Sequence, residues 1–240
     1  MSKRSPTQLQ RIKREVWIMK YGSITTGIIA DGLVLNIDAA NRASTIPSTN
    51  TDKTFNTVDL SQSGSFVANA VYDSSTISPS FAFDGNDDYI IINGFNDITV
   101  NTVSAWFKVS FVTNKIMMEK GTNAKMMFQP NTAQGIWYAN AKFYNPGGGY
   151  ASSVMDGTWK NWVQIEDTDF SYFYINGVLQ NSQANTSNST NSNPIVLMAR
   201  NGGSFEQEGN VGPVQIYNRA LSSNEVLHNY NALKGRFGLS

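Results

Sequence analysis

The chain has 240 residues, 18 Lys and Arg against 18 Asp and Glu, zero formal net charge, and only 15% charged residues. That balance argues against a globally basic nucleic-acid binder, and a surplus of Asn, Ser, Thr and Gly over charged pairs suits strands joined by polar turns. With no cysteine and a single histidine, His228, disulfides, thiolate metal sites and thiol catalysis are excluded, and little remains for a zinc site or a Ser-His-Asp triad.

Residues 1–21 differ from everything after them. Lys3, Arg4, Arg11, Lys13, Arg14 and Lys20 face one acid, Glu15, and Ser5-Pro6 reads as an N-cap followed by Pro at the first helical position. Leu9, Ile12, Val16 and Met19 recur at helical spacing, with Trp17 and Ile18 widening the apolar side. The segment reads as a basic helical arm, with Arg11, Lys13, Arg14 and Trp17 as candidate docking residues. A short helix packed back on its own domain, or a frayed tail, is the alternative. No apolar core of a secretory signal follows the basic residues, and no run of about eighteen apolar residues is present to span a membrane. The expectation is a soluble protein, with residues 22–240 as one β domain.

After a connector at 22–30, residues 33–38 (Leu-Val-Leu-Asn-Ile-Asp) read as the first strand, and the Ser/Thr/Asn-rich stretch 39–54 as a surface loop. Short apolar pieces at 58–61 and 65–67 follow. Residues 80–92 (Ser-Phe-Ala-Phe-Asp-Gly-Asn-Asp-Asp-Tyr-Ile-Ile-Ile) hold two strands around an Asp84-Gly85 reversal, with Phe81, Phe83, Tyr89 and Ile91 alternating with smaller or polar neighbours. This reading leaves Asp84, Asp87 and Asp88 at the rim. Central strands are expected at 98–100 and 103–109. Residues 135–139 and 142–144 suggest a hairpin, as do 159–165 and 171–179, and Asn176-Gly177 is a tight-turn signal. Residues 181–193 read as a long solvated loop of low complexity, with glycosylation sequons at Asn185 and Asn188. Buried strands are expected at 195–199 and 209–217, the second placing Val214 and Ile216 on one face. Ser222 with Glu225 matches a capping box opening a short helix that Gly235 stops. About a dozen short strands with a small helix near each end make an all-β sandwich or jelly roll.

The order of motifs resembles a family. Residues 83–90 (Phe-Asp-Gly-Asn-Asp-Asp-Tyr-Ile), Thr102-Val103-Ser104-Ala105-Trp106-Phe107, Lys120-Gly121, Trp159-Lys160-Asn161-Trp162, Tyr174-Ile175-Asn176-Gly177 and the stretch 212–222 together resemble laminin-G-like, concanavalin A-like β-sandwiches, over residues 33–234. The opening Gly32-Leu33-Val34-Leu35-Asn36-Ile37-Asp38-Ala39-Ala40-Asn41 and the tail 229–238 are similar to virion-associated members encoded by tailed marine phages. That resemblance implies a non-enzymatic structural protein of a phage particle, a capsid decoration or a fibre-like appendage docked through the arm. Its implied setting is the virion, its partners other capsid, tail or neck proteins in an oligomeric assembly, with no nucleic acid and no membrane. A lectin recognising host surface glycans is the alternative.

Fold alone does not carry function, so the sites must be weighed. Glucanases of this fold carry Glu-x-Asp-x-x-Glu on one strand. Glu166-Asp167-Thr168-Asp169 departs from that spacing at a strand end, and Glu206-Gln207-Glu208 has no third acid at the right offset. Trp137, Tyr138, Tyr144 and Tyr150 are the candidate aromatic platform for a glycan, against the alternative that strand aromatics belong to the core. Trp106, Trp159 and Trp162 are assigned to the core or its edge. Asp84, Asp87 and Asp88, with Asn86, offer oxygens for calcium, against the alternative that the acids cap their own turn. No other cofactor is expected.

Overall fold

The computed structural model describes residues 27–45, 53–94, 102–120, 126–131, 135–138, 142–144, 154–184 and 194–240; for 126, 127, 131, 135–138 and 142–144 it describes the backbone alone. The basic arm lies outside the described residues.

Two antiparallel sheets of eight strands each make a sandwich, as expected for a concanavalin A-like jelly roll. The first runs β14 (Val178–Ala184), β13 (Phe170–Ile175), β12 (Asp156–Glu166), β7 (Thr102–Ser110), β16 (Glu208–Tyr217), β5 (Ser80–Asp84) and β4 (Val71–Asp73), with β1 (Leu33–Ile37) also beside β16. The second runs β11 (Lys142–Tyr144), β10 (Gly135–Tyr138), β9 (Met126–Asn131), β8 (Met118–Lys120), β15 (Ile195–Leu197), β6 (Tyr89–Ile92), β3 (Ser63–Val67) and β2 (Lys53–Phe55). One helix, α1 (Ser223–Leu233), follows the last strand.

Alternation builds the core between the sheets. Phe81, Phe83, Val103, Ala105, Phe107, Val211, Val214 and Ile216 point inward from the first sheet to meet Ile90, Ile92, Met118, Phe128, Ile195 and Leu197. Trp162 anchors an aromatic knot, with ring centroids 5.5 Å from Phe173, 5.7 Å from Phe128 and 6.5 Å from Phe107. Such edge-to-face pairs add about 0.5–1.5 kcal/mol each beyond their buried area.

The edge of β16 is shared. Residues 208–211 pair with β5, whereas Val214 and Ile216 pair with Ile37 and Leu35 of β1. Gly212-Pro213 sits at the junction, where β16 bulges against β7. Proline has no N–H to give a ladder, so a bulge is a site that tolerates it.

The outer face of the first sheet is apolar at two places, and the C-terminal segment covers both. Val163, Ile165, Tyr174 and Tyr217 pack beneath Leu221 and Val226, and Trp106 and Trp159 pack beneath Phe237. Phe237 stacks on Trp106 at 4.3 Å and meets Trp159 at a tilt, with centroids 4.7 Å apart. Arg236 clamps this segment to the end of β1, its guanidinium donating to both carboxylate oxygens of Asp38 at 2.7 and 2.9 Å. The connector is tied to the same helix: Asn229 Oδ1 accepts from the Ile29 amide at 2.8 Å, and Asn229 Nδ2 donates to the Tyr217 hydroxyl at 3.0 Å. Burial pushes that phenol up to about 12, so Tyr217 remains a donor, here to the Ile29 carbonyl.

Six sequence expectations need correction. The strands at 80–92 form no hairpin: β5 joins the first sheet and β6 the second, so the Asp-Gly turn bridges the sandwich. On β6 the buried residues are Ile90 and Ile92, not Tyr89 and Ile91, because the unbroken apolar run has no polar residue to fix its phase. The polar stretch 39–54 is not all surface. Ser44, Thr45 and Thr54 are buried, and their hydroxyls satisfy one another and the Phe55 and Ser44 carbonyls. Residues 58–61, a short apolar piece in the strand pattern, are an exposed turn. Strand β14 runs on to Ala184, into the stretch read as loop, because pairing with β13 satisfies its backbone while its polar side chains face outward at a sheet edge. The helix continues past Gly235 as a 3₁₀ turn (Lys234–Phe237), and the left-handed residue that ends it is Gly238 at φ 72°. The capping box is present as expected: the Ser222 side chain accepts from the Glu225 amide, and the Glu225 carboxylate accepts from the Ser222 amide.

Candidate functional site

The acidic turn explains itself locally. Gly85 takes a positive φ of 77°, and Asp88, 1% exposed, folds back so that its carboxylate accepts from the Asp84 amide at 2.8 Å and the Gly85 amide at 3.3 Å. Asp84 in turn accepts from the Asn86 amide at 2.9 Å. The Asn86 hydrogen bonds hold Asp84 below its ordinary range, whereas burial, together with the Asp84 charge, raises Asp88. Asp87 is exposed at the turn tip. Two of the three carboxylates thus serve the turn's own amides. Among the described residues no group of three or more Asp, Glu or His side chains is placed to hold a metal ion.

The other predicted residues fall as follows. Trp137 and Tyr138 are on β10 and Tyr144 on β11, which pair as the expected hairpin, with Trp137 opposite Phe143, Tyr138 opposite Lys142 and Ile136 opposite Tyr144. The three therefore occupy different cross-strand positions; their side chains, and Tyr150 entirely, lie outside the described residues, as do Arg11, Lys13, Arg14 and Trp17. Glu166 closes β12 and is buried, and the Asp167 that follows accepts from the Asp169 and Phe170 amides at 2.8 and 2.6 Å, so this acidic run is a strand-end turn.

What the sequence did not announce is a cleft of about 210 Å³, lined by Lys108, Ser110, Val112, Gly157 and residues 207–210. It opens where three strands of the first sheet come apart. Lys108 on β7 stands between Asn210 of β16 and Trp159 of β12. One residue further along, β12 bulges away from β7 between Asp156 and Trp159, with Gly157 at φ 77°. Asp156 pins that bulge: its Oδ1 accepts from the Thr158 amide at 3.0 Å and from Lys160 Nζ at 2.7 Å. Burial alone would push this carboxyl up, but the Lys160 ammonium and the Thr158 donors overcome it and hold Asp156 at about 2. On the β16 side Gly209 permits the closest approach, since a Cβ there would stand 2.5 Å from the Lys108 carbonyl oxygen.

The lining is polar, with both hydrogen-bonding senses. Gln207 is 1% exposed; its Nε2 donates to the Glu208 carbonyl at 2.8 Å and the Ser110 carbonyl at 3.3 Å. Its Oε1 meets no donor among the described residues. A buried acceptor left so forgoes about 1–3 kcal/mol. Asn210 Nδ2 reaches Ser80 Oγ at 3.2 Å and Asp73 Oδ2 at 3.3 Å. The Ser75 hydroxyl, chiefly, holds Asp73 below its ordinary range, and the Lys108 charge contributes in the same direction. The positive charge of Lys108 therefore acts on the Asp73 carboxylate, and Glu208 lines the same cleft. The signal available in the sequence was the pair of glycines, Gly157 and Gly209, inside β-prone runs, since an isolated glycine in a strand marks a bulge or a close approach.

The wider comparison agrees with this architecture. Residues 84–227 match the family model Laminin_G_3 of the concanavalin A-like lectin/glucanases superfamily. A search of the curated proteins finds no match by sequence. Among solved structures the chain resembles domain 4 of AbnA, a GH43 extracellular arabinanase from Geobacillus stearothermophilus solved with arabinotriose, at TM-score 0.62 and 17% identity over 82% of this chain and 98% of that one. It also resembles the binding domain of Paraclostridial Mosquitocidal Protein 1 (TM-score 0.63, 14% identity, 87% of this chain and 55% of that one). A third is the botulinum neurotoxin serotype D binding domain (0.61, 16%, 84% and 52%), so the chain spans little more than half the length of either toxin domain. Identities this low speak for the fold alone. With the family model matched across the centre of the sandwich, the chain belongs to the concanavalin A-like lectin/glucanases superfamily.

Proposed function

We propose that this chain is a non-enzymatic binding module carried on a phage particle, as a capsid decoration or fibre-like appendage, with its lectin-like sandwich presented to host surface glycans. The observation that carries the binding half is the polar, glycine-walled cleft on the outer face of the first sheet, which offers an ammonium, a hydroxyl, an amide and a carboxylate at one place. The kinship with domains solved as toxin binding domains or in complex with arabinotriose supports the same half. The virion half rests on the similarity of residues 32–41 and 229–238 to phage virion proteins. These two segments meet in space through the Arg236–Asp38 pair, so they form one structural unit rather than two scattered likenesses.

Two measurements test the halves separately. Mass spectrometry of purified particles should find this chain at structural stoichiometry; its absence removes the virion half. A glycan array probed with the full chain, with and without calcium, should show binding; a blank array removes the binding half. Binding on the array by a chain absent from particles favours the second reading, a free glycan-binding lectin.

A further inference from the structure

We infer that the cleft between Lys108, Gly157 and Gln207 is a subsite for one neutral sugar ring, the terminal or a branching residue of a glycan. The inference rests on the glycan-binding reading above and gives it a place and a ligand class. Size sets the first limit. At about 210 Å³ the cleft falls below the ~300–1,000 Å³ of pockets that enclose drug-sized ligands. It holds the equivalent of roughly seven water molecules at ~30 Å³ each, room for one ring and not for a chain.

Chemistry sets the second. A sugar hydroxyl both donates and accepts, and the lining asks for both. Lys108 and Ser110 supply donors and Glu208 an acceptor. Charge sets the third. Among the described residues Lys108 is the one cation of the lining, and Glu208 of the same lining together with Asp73 behind Asn210 offset it. A uronate or other acidic sugar would bring its carboxylate among two others, so the site favours a neutral ring. Shape sets the fourth. Gly157 and Gly209 remove side chains from the walls, leaving backbone for a flat, hydroxylated ring to approach.

Saturation-transfer NMR on the full chain tests this, with the methyl glycosides of a neutral hexose and a neutral pentose as probes and methyl glucuronide as the acidic comparison. For a ligand of about 12 non-hydrogen atoms the expected dissociation constant is of order 1–10 mM. Val112 lines the mouth and is 42% exposed, so Val112→Trp blocks the cleft without disturbing the core. It should weaken the neutral-sugar signal at least tenfold at an unchanged melting temperature. Lys108→Met removes one charged donor and should weaken it about tenfold. A neutral sugar that binds equally to the wild type and both variants overturns the cleft assignment while leaving glycan binding intact. Tighter binding of the glucuronide overturns the neutral class. No transfer from any probe overturns the subsite, and the glycan array then decides independently whether the broader reading survives.

Discussion

Phe237 is the keystone of the C-terminal cover. It is 5% exposed, lies flat on Trp106 at 4.3 Å and an 18° interplanar angle, and meets Trp159 at 4.7 Å. Phe237→Ala loses the burial of one aromatic side chain, about 1.5–3 kcal/mol, and two ring pairs at about 0.5–1.5 kcal/mol each. Together these span about 2.5–6 kcal/mol and bracket the ~3–5 kcal/mol usual for Phe→Ala in a packed site, which is the expected loss. For a chain of this size that amounts to a fall of about 6–20 °C in melting temperature. Intrinsic fluorescence adds a second readout, because Trp106 and Trp159 gain water and the emission should move to the red. Leu227 on the same helix is 44% exposed, so Leu227→Ala is the control, expected within about 0.5 kcal/mol of wild type. A Phe237→Ala protein that melts within about 2 °C of wild type with an unshifted spectrum would refute the idea that this segment is structural cover.

Three further predictions address the cap, the cleft and the acidic turn. The Arg219 guanidinium, with the Ser222 donors, holds Glu225 down at about 2 from an ordinary 4.5. The unfolded chain therefore binds the extra proton between these values; the contribution is complete above about pH 5 and lost as pH falls toward 2. Glu225→Gln should flatten that acid limb of the stability profile, and Ser222→Ala should cost about 1 kcal/mol in urea denaturation at pH 7. Gly209→Ala places a methyl 2.5 Å from the Lys108 carbonyl oxygen and 2.8 Å from Val109 Cγ1 at φ 142°; crowding and strain together should cost about 2–5 kcal/mol by denaturant melting. Asp88→Ala strips the Asp84 and Gly85 amides of their acceptor and should cost about 1–2 kcal/mol, Asp88→Asn less. Thermal melts with calcium and with a chelator should coincide, and a rise of several degrees with calcium would show that these acids bind metal instead.

The fold was legible where polarity alternates or a turn residue speaks plainly. Trp106, Trp159, Val214, Ile216, the hairpin joining β10 to β11, and the capping box at Ser222 all stand where the residues indicated. Legibility failed where a local pattern is silent about its partner. Tyr89-Ile90-Ile91-Ile92 is apolar throughout, so only the packing of Ile90 and Ile92 against the other sheet fixes which pair turns inward. Ser44, Thr45 and Thr54 read as surface because each is polar, yet together they satisfy one another, and no single position records that. The cleft was hidden for a similar reason. Lys108, Gly157 and Gln207 are far apart in sequence, and only the pairing of β7 with β12 and β16 assembles them.

That assembly also changes what the Asp-Gly turn does. Were β5 and β6 a hairpin, the acids at its tip would project into solvent, free to gather a cation. Because the turn instead bridges the two sheets, its shape fixes how they meet, and the buried Asp88 carboxylate holds that shape by accepting from Asp84 and Gly85. Asp84 is the cross-strand partner of Glu208, and Gly85 lies so near that a Cβ there would stand 2.8 Å from the Glu208 amide nitrogen. Residues 207–210 form one wall of the cleft. The most conspicuous acidic cluster of the sequence therefore acts one step removed from any ligand: it sets where β16 begins, and so the position of the wall that Gln207 and Glu208 present.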